Sequence, residues 1–277
     1  MTKGSPWKLI TQFAVPVFLS QVFQQLYNTA DALIVGRFLG DEALAAVSAS
    51  GPLIFLLISF YGGFVASMVV REKNDRTMEI LVTNTTSSSL IVGKVAAATV
   101  LSALQMLLFV LFAALGILLN AGSYPQELLT MLQQGISGSG IAVFLLFGIT
   151  GTVLYYFLFA AIGALADKTE EADQLLMPAR MLFMVAFFLS AACLFAESDG
   201  LTRAVSLIPF TSPIAMFVRV VISSVPVTEV LLGYGILLAS TALVALCSIR
   251  LHAVGVLNYG NRLSLRRAFR LAFQKKQ

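Results

Sequence analysis

The chain has 277 residues, 58% of them hydrophobic and only 12% charged, with a mean hydropathy of +0.89 and a formal net charge of +4. Soluble domains carry about a quarter charged residues, so an ordinary soluble fold is excluded and an all-α, polytopic integral membrane protein is expected. The net positive charge does not imply nucleic acid, because the basic residues gather at the ends of apolar runs and in the last 16 residues, where asymmetry across a bilayer accounts for them.

Taken in chain order, residues 9–30 are uncharged and long enough for a span, with Pro16 set to kink it and Gln21, Gln24, Gln25 and Asn28 making it unusually polar. No small-residue cleavage site follows the apolar run, so it reads as a retained first span rather than a removable signal. Asp31 follows near its outer end, either as a hydrated acid at a helix terminus or as a cation site within the membrane. Gly51 to Val70 adds 20 residues without a charge.

Arg71 to Lys94 is polar and loop-like between two apolar runs, so it belongs at a membrane face. Arg71, Lys73 and Arg76 mark that face as cytoplasmic. Asp75 to Thr83 reads as a short surface helix with Met78, Leu81 and Val82 on one side and Arg76, Glu79 and Thr83 on another. The tract from Thr83 to Ser89 supplies turn and N-cap residues for the next helix. The segment is either a solvated loop or a coupling element that receives force from a soluble partner. Asn84 heads an Asn-Thr-Thr sequon, but on the cytoplasmic side no glycan is expected.

A third span is expected over Leu90 to Leu119, with Lys94 reaching the inner headgroups. Asn120 to Gly140 is an outer loop, and Ile141 to Ala166 is a fourth span whose Gly148, Gly151 and Gly163 allow close helix packing. Asp167 to Asp173 forms a second, acidic cytoplasmic loop. Gln174 to Ala196 is a fifth span, with Pro178 near its start and Arg180 reaching back to the inner surface or, alternatively, facing a central path. Residues 198–225 form two short apolar pieces broken by Pro209-Phe210-Thr211-Ser212-Pro213, neither long enough to cross, which suits an outward-facing re-entrant hairpin.

Thr228 and Glu229 open a last span that runs to Ile249 and ends at Arg250 and an interfacial His252. Residues 260–277 place Leu265, Phe269, Ala272 and Phe273 on one face and Arg266, Arg267 and Arg270 elsewhere, a basic amphipathic tail suited to an anionic leaflet. Six spans with both termini cytoplasmic put 15 cationic side chains inside and three outside, namely Arg37, Arg203 and Arg219. Cys193 and Cys247 fall at opposite ends of their spans, too far apart for a disulfide.

Glu72-Lys73-x-x-Arg76-Thr77-Met78-Glu79-Ile80-Leu81, followed by Leu90-x-x-Gly93-Lys94, resembles the cytoplasmic signature of type-two ABC exporter permeases, particularly the sodium-extruding branch. Ser206-Leu207-Ile208-Pro209-Phe210-x-Ser212-Pro213 and Val254-Gly255-Val256-Leu257-x-Tyr259-Gly260 resemble later parts of the same family, so the likeness covers about residues 52–277. It implies that Glu72, Lys73, Arg76, Met78 and Glu79 couple to a separate ATPase subunit. It also implies that Pro209, Phe210, Ser212 and Pro213 form a hairpin that helps close the outer side.

Phe23-Gln24-Gln25-Leu26-Tyr27-Asn28-Thr29-Ala30-Asp31, then Ile34-Val35-Gly36-Arg37-Phe38-Leu39-Gly40, resembles the first helix and turn of the multidrug and toxin extrusion (MATE) family, over about residues 1–57. In several of its members the acid matching Asp31 belongs to a cation site. The expected organisation is therefore a MATE-like head, residues 1–57, on a permease body, residues 58–277. The head occupies the place where the sodium branch has a first span and an extracellular domain.

Gly93-Lys94 lacks both the upstream glycine and the following Ser or Thr of a phosphate loop, so no cofactor is expected in this chain and ATP would sit on the partner. The expected function is that of a plasma-membrane exporter permease moving sodium ions, drugs or similar solutes, paired as a homo- or heterodimer in the lipid bilayer. The alternatives are a cation-coupled extruder using Asp31 and a non-transporting hybrid.

Overall fold

The computed structural model describes residues 41–75, 77–119, 138–166, 169–193, 199–223 and 225–256, with residues 267, 270 and 271. The chain divides into two compact units, Met1–Ser48 and Ala49–Gln277. The expected first span, Asp31, and all but three residues of the expected tail lie outside the described residues. Everything below concerns the second unit.

Its helices are α1 (Asp41–Asn74, in the second unit from Ala49 onward), α2 (Thr77–Asn84), α3 (Ser87–Leu119), α4 (Gly138–Gly163), α5 (Thr169–Ala192), α6 (Asp199–Leu207), α7 (Ser212–Ile222) and α8 (Val227–Val256). Among the described residues there is no strand, and four helices are long and apolar enough to cross a membrane, over Ser87–Phe109, Gly140–Gly163, Gln174–Ala192 and Val227–Gly255. The protein is an all-α polytopic membrane protein.

The bundle is built round α4, which packs against α3, α5, α7 and α8. Its sequence explains that position, because it is apolar on every side and a helix of that kind is buried rather than amphipathic. Leu154, Tyr155, Tyr156 and Phe159 are fully enclosed. Val65 of α1, Ile91, Val95 and Ala98 of α3, and Tyr156, Phe157 and Ala160 of α4 form one continuous cluster. In contrast, Val100, Leu104, Leu107 and Phe112 of α3 are exposed, as lipid-facing side chains must be.

Glycine lets the backbones approach. A Cβ on Gly163 would stand 2.8 Å from the Cα and O of Ala66 in α1, and one on Gly255 would stand 2.5 Å from the carbonyl oxygen of Ala164. Gly151 is pressed against the ring of Pro213. Gly148, expected to serve the same purpose, does not, since a Cβ there would meet nothing within 4 Å. Its neighbours along α4, Leu145, Leu146 and Ile149, face outward.

Cross-helix contacts sort the elements by end. Lys73 Nζ donates to the carbonyl of Ala166 (3.3 Å), Met78 packs with Ala164, Ser87 meets His252, and Gly255 meets Ala164. The end of α1, all of α2, the start of α3 and the ends of α4 and α8 therefore share one end of the bundle. The start of α8 and the outer ends of α6 and α7 form the opposite end.

Candidate coupling surface and hairpin seat

Between α1 and α3 the chain doubles back through local bonds. Thr77 Oγ1 donates to the carbonyl of Glu72 (3.1 Å), starting α2 beside the end of α1, and Asp75 lies in the turn before α2 rather than inside it. Thr83 Oγ1 (2.7 Å) and Asn84 Nδ2 (3.1 Å) both donate to the carbonyl of Ile80, competing with helix continuation. Thr86 Oγ1 then accepts the N–H of Ser89 (3.2 Å), an N-cap for α3 drawn from the Ser/Thr tract as expected.

The eight residues of α2 divide sharply by face. Met78 is fully buried against Val69, Ala164, Leu81 and Leu90, and fixes the helix to the bundle. Thr77, Glu79, Ile80, Thr83 and Asn84 are exposed, with Ile80 at 67%. Lys73 is only 3% exposed and directed at Ala166, while Glu72 accepts a 2.5 Å contact from Lys94 Nζ. Of the five residues expected to couple, Glu79 is open to a partner, Glu72 is engaged, Lys73 and Met78 are turned inward, and Arg76 lies outside the described residues. Lys94 does not reach away to headgroups: its side chain is 8% exposed, because the Glu72 carboxylate is the better partner.

Beside this segment, His252 is fully buried rather than interfacial. Its Nδ1 lies 2.7 Å from Ser87 Oγ, and its Nε2 has no hydrogen-bond partner among the described residues. Arg180 does not take the first of its two expected positions, at the inner surface. Its Nη2 lies 3.3 Å from where a Cβ on Gly63 would stand, so the guanidinium rests against α1 instead of reaching to the helix end. Gly63 is 11 residues from the end of α1, roughly 16 Å at 1.5 Å per residue.

The expected pair of short helices is present as α6 and α7. Its direction follows from paired contacts with α4: Phe217 meets Phe144, Pro213 meets Gly151, and Phe210 meets Tyr155. Moving back along α7 thus means moving deeper along α4, so the turn at 208–211 is the innermost point and both outer ends lie at the same end of the bundle. At 11 residues, α7 reaches roughly 16 Å, about half a hydrocarbon core.

The apex satisfies most of its polar groups internally, as apolar surroundings demand. Thr211 Oγ1 donates to the carbonyls of Val205 and Ile208, and Ser212 N–H donates to the carbonyl of Ile208 (2.7 Å). Pro213 stands in the first turn of α7, where its missing N–H costs nothing. Two contacts seat the apex on the long helices: Tyr155 Oη donates to the carbonyl of Phe210 (2.8 Å), and Ser190 Oγ, which donates mainly to Ala186 in its own helix (2.7 Å), shares that proton with the carbonyl of Thr211 (3.3 Å).

At the mouth of the hairpin, Glu229 receives one arginine from each leg. Arg203 Nη2 lies 3.1 Å from Oε1 and Arg219 Nη1 lies 2.8 Å from Oε2, the latter a close charge contact off the line of a directed hydrogen bond. Arg219 also donates to Ser206 Oγ (3.3 Å). Sequence reasoning placed all three charges at outer ends without joining them. One carboxylate and two guanidiniums bracketing two short apolar pieces were the available signal.

Its long apolar helices mark this unit as a membrane domain, with a pair of short helices packed at one end and a short, half-exposed helix at the other. The chain belongs to the ABC-2 family of transporter proteins, whose model matches residues 8–250. It is 26% identical over 224 residues to uncharacterized protein MJ1024 of Methanocaldococcus jannaschii, covering 80% of this chain and 52% of that one. To uncharacterized protein YhaP of Bacillus subtilis it is 26% identical over 225 residues, covering 79% and 54%. The chain thus spans about half the length of these curated relatives. A more local similarity, 36% over 102 residues, covers 35% of this chain and 22% of a Bacillus subtilis protein named Probable multidrug resistance protein YoeA. No solved structure matches.

Proposed function

We propose that this chain is the membrane-embedded permease part of an ATP-driven ABC exporter, working with a separate ATPase subunit and a second permease. The observation that carries the proposal is the division of α2, with Met78 locked into the core while Glu79 and Ile80 face outward on the same eight-residue helix. A helix held in this way can be pushed without detaching. Its neighbours would spread the load, since Glu72 joins Lys94 on α3 and Lys73 joins the end of α4. The end bearing α2 would be cytoplasmic, and both termini with it.

Drug-like organic solutes and sodium ions are the candidate cargo. The local similarity to a protein named for multidrug resistance favours the former. Copurification from mild detergent tests the reading: a stoichiometric ATPase should accompany the chain, and Glu79→Arg combined with Ile80→Asp should remove it without lowering membrane insertion. Undiminished capture by that variant would overturn the coupling assignment. The resemblance of Phe23 to Asp31 to the MATE family carries a second reading, a cation-coupled extruder using Asp31. That reading requires transport without any ATPase and its loss in Asp31→Asn.

A further inference from the structure

We propose that Glu229 is a latch that keeps the α6–α7 hairpin inserted, and that its release lets the hairpin withdraw as a unit from the end of the bundle it plugs. The proposal deepens the exporter reading by naming a moving part and its restraint.

Two features make the hairpin a separable body. Most of the hydrogen bonds at its apex are its own, from Thr211 to Val205 and Ile208 and from Ser212 to Ile208, and these travel with it. Tyr155 to Phe210, Ser190 to Thr211 and the Glu229 contacts tie it to the long helices, and each is a single side-chain contact that can break without unfolding the hairpin. Withdrawal leaves the internal satisfaction of the apex intact, so it need not expose a string of unpaired backbone groups.

Glu229 is placed to govern that motion because, of the three charges, it alone stands on a long helix, and it meets Arg203 on one leg and Arg219 on the other. Without its carboxylate, Arg203 and Arg219 lose the counter-charge that ties both legs to α8. The two arginines are not equivalent. Arg203 is 60% exposed and screened by solvent, whereas Arg219 is 12% exposed and interacts at close quarters, so the hold depends on the Glu229–Arg219 contact.

The test uses the full chain in proteoliposomes with Cys193 and Cys247 replaced by alanine. A reporter cysteine is placed at Ser212, which is fully buried at the hairpin apex, or at Ser248, which is buried between α8 and α4 at the far end. The probe is a membrane-impermeant sulfonated maleimide. Glu229→Gln should raise labelling at position 212 at least tenfold and leave position 248 unlabelled, while Arg203→Gln should raise it less than threefold. Combining Glu229→Arg with Arg219→Glu should bring labelling back toward the parent rate. Unchanged labelling at 212, or an equal rise at 212 and 248, would overturn the latch. No ATPase is present in the assay, so failure of the coupling assignment leaves this result untouched.

Discussion

Lys94 Nζ and Glu72 Oε2 stand 2.5 Å apart, joining the last turn of α1 to the second turn of α3 across the α2 segment. The pair closes the chain reversal that α2 spans, and its two members differ in access to water. Lys94 is almost enclosed, whereas Glu72 is 23% exposed.

Removing the less buried partner should therefore cost more. Glu72→Gln leaves the enclosed ammonium without a counter-charge, at a cost of about 1–3 kcal/mol after allowing for partial exposure. Lys94→Met leaves a carboxylate that water can reach, and should cost about 1 kcal/mol or less. Thermal unfolding followed by fluorescence-detected size exclusion should rank Glu72→Gln below Lys94→Met. The exchange Glu72→Lys with Lys94→Glu should recover most of the loss.

For Ser87 and His252 the asymmetry runs through hydrogen bonding. Ser87→Ala strips the partner from His252 Nδ1 in a ring whose Nε2 has none among the described residues, and should cost about 1–3 kcal/mol. His252→Leu removes both buried nitrogens together and should be nearly neutral, and the double variant should be no worse than Ser87→Ala alone. A double-mutant cycle in thermal stability checks this. Additive losses would mean that the two side chains do not interact.

Glycines that look alike in sequence should separate. Gly163→Ala and Gly255→Ala force a methyl against neighbouring backbone and should destabilise by about 1–3 kcal/mol. Gly148→Ala and Gly235→Ala, where a Cβ meets nothing within 4 Å, should stabilise by up to about 1 kcal/mol through helix propensity. Melting temperatures of the four variants decide it, since the two pairs must move in opposite directions.

On α2, positions two residues apart should show opposite phenotypes. Met78→Ala empties a fully buried site and should lower stability by about 2–5 kcal/mol. Ile80→Ser, at an exposed site, should leave stability within about 0.5 kcal/mol and weaken ATPase capture in the copurification assay. An Ile80→Ser protein that captures ATPase as well as the parent would move the docking surface elsewhere.

Apolar runs set the helices, and those were legible. The spans read at 90–119, 141–166, 174–196 and 228–249 correspond to Ser87–Leu119, Gly138–Gly163, Thr169–Ala192 and Val227–Val256. The prolines and short apolar pieces at 198–225 announced two short helices. These features are local, because apolar length and the missing proline N–H act within a few residues wherever the chain goes.

What only the tertiary structure decided is which polar group meets which. Lys94 could have reached to headgroups, His252 could have faced an interface, Arg180 could have lain at a helix end, and Glu229 could have been no more than a first-turn acid. Each is instead turned toward a partner 10 to 165 residues away or, for Arg180, toward a glycine of α1. Helices that are apolar all round carry no amphipathic stripe to record their rotation. In apolar surroundings an unpaired charge or hydrogen-bonding group is expensive, so the packed bundle, and not the local sequence, selects the partner.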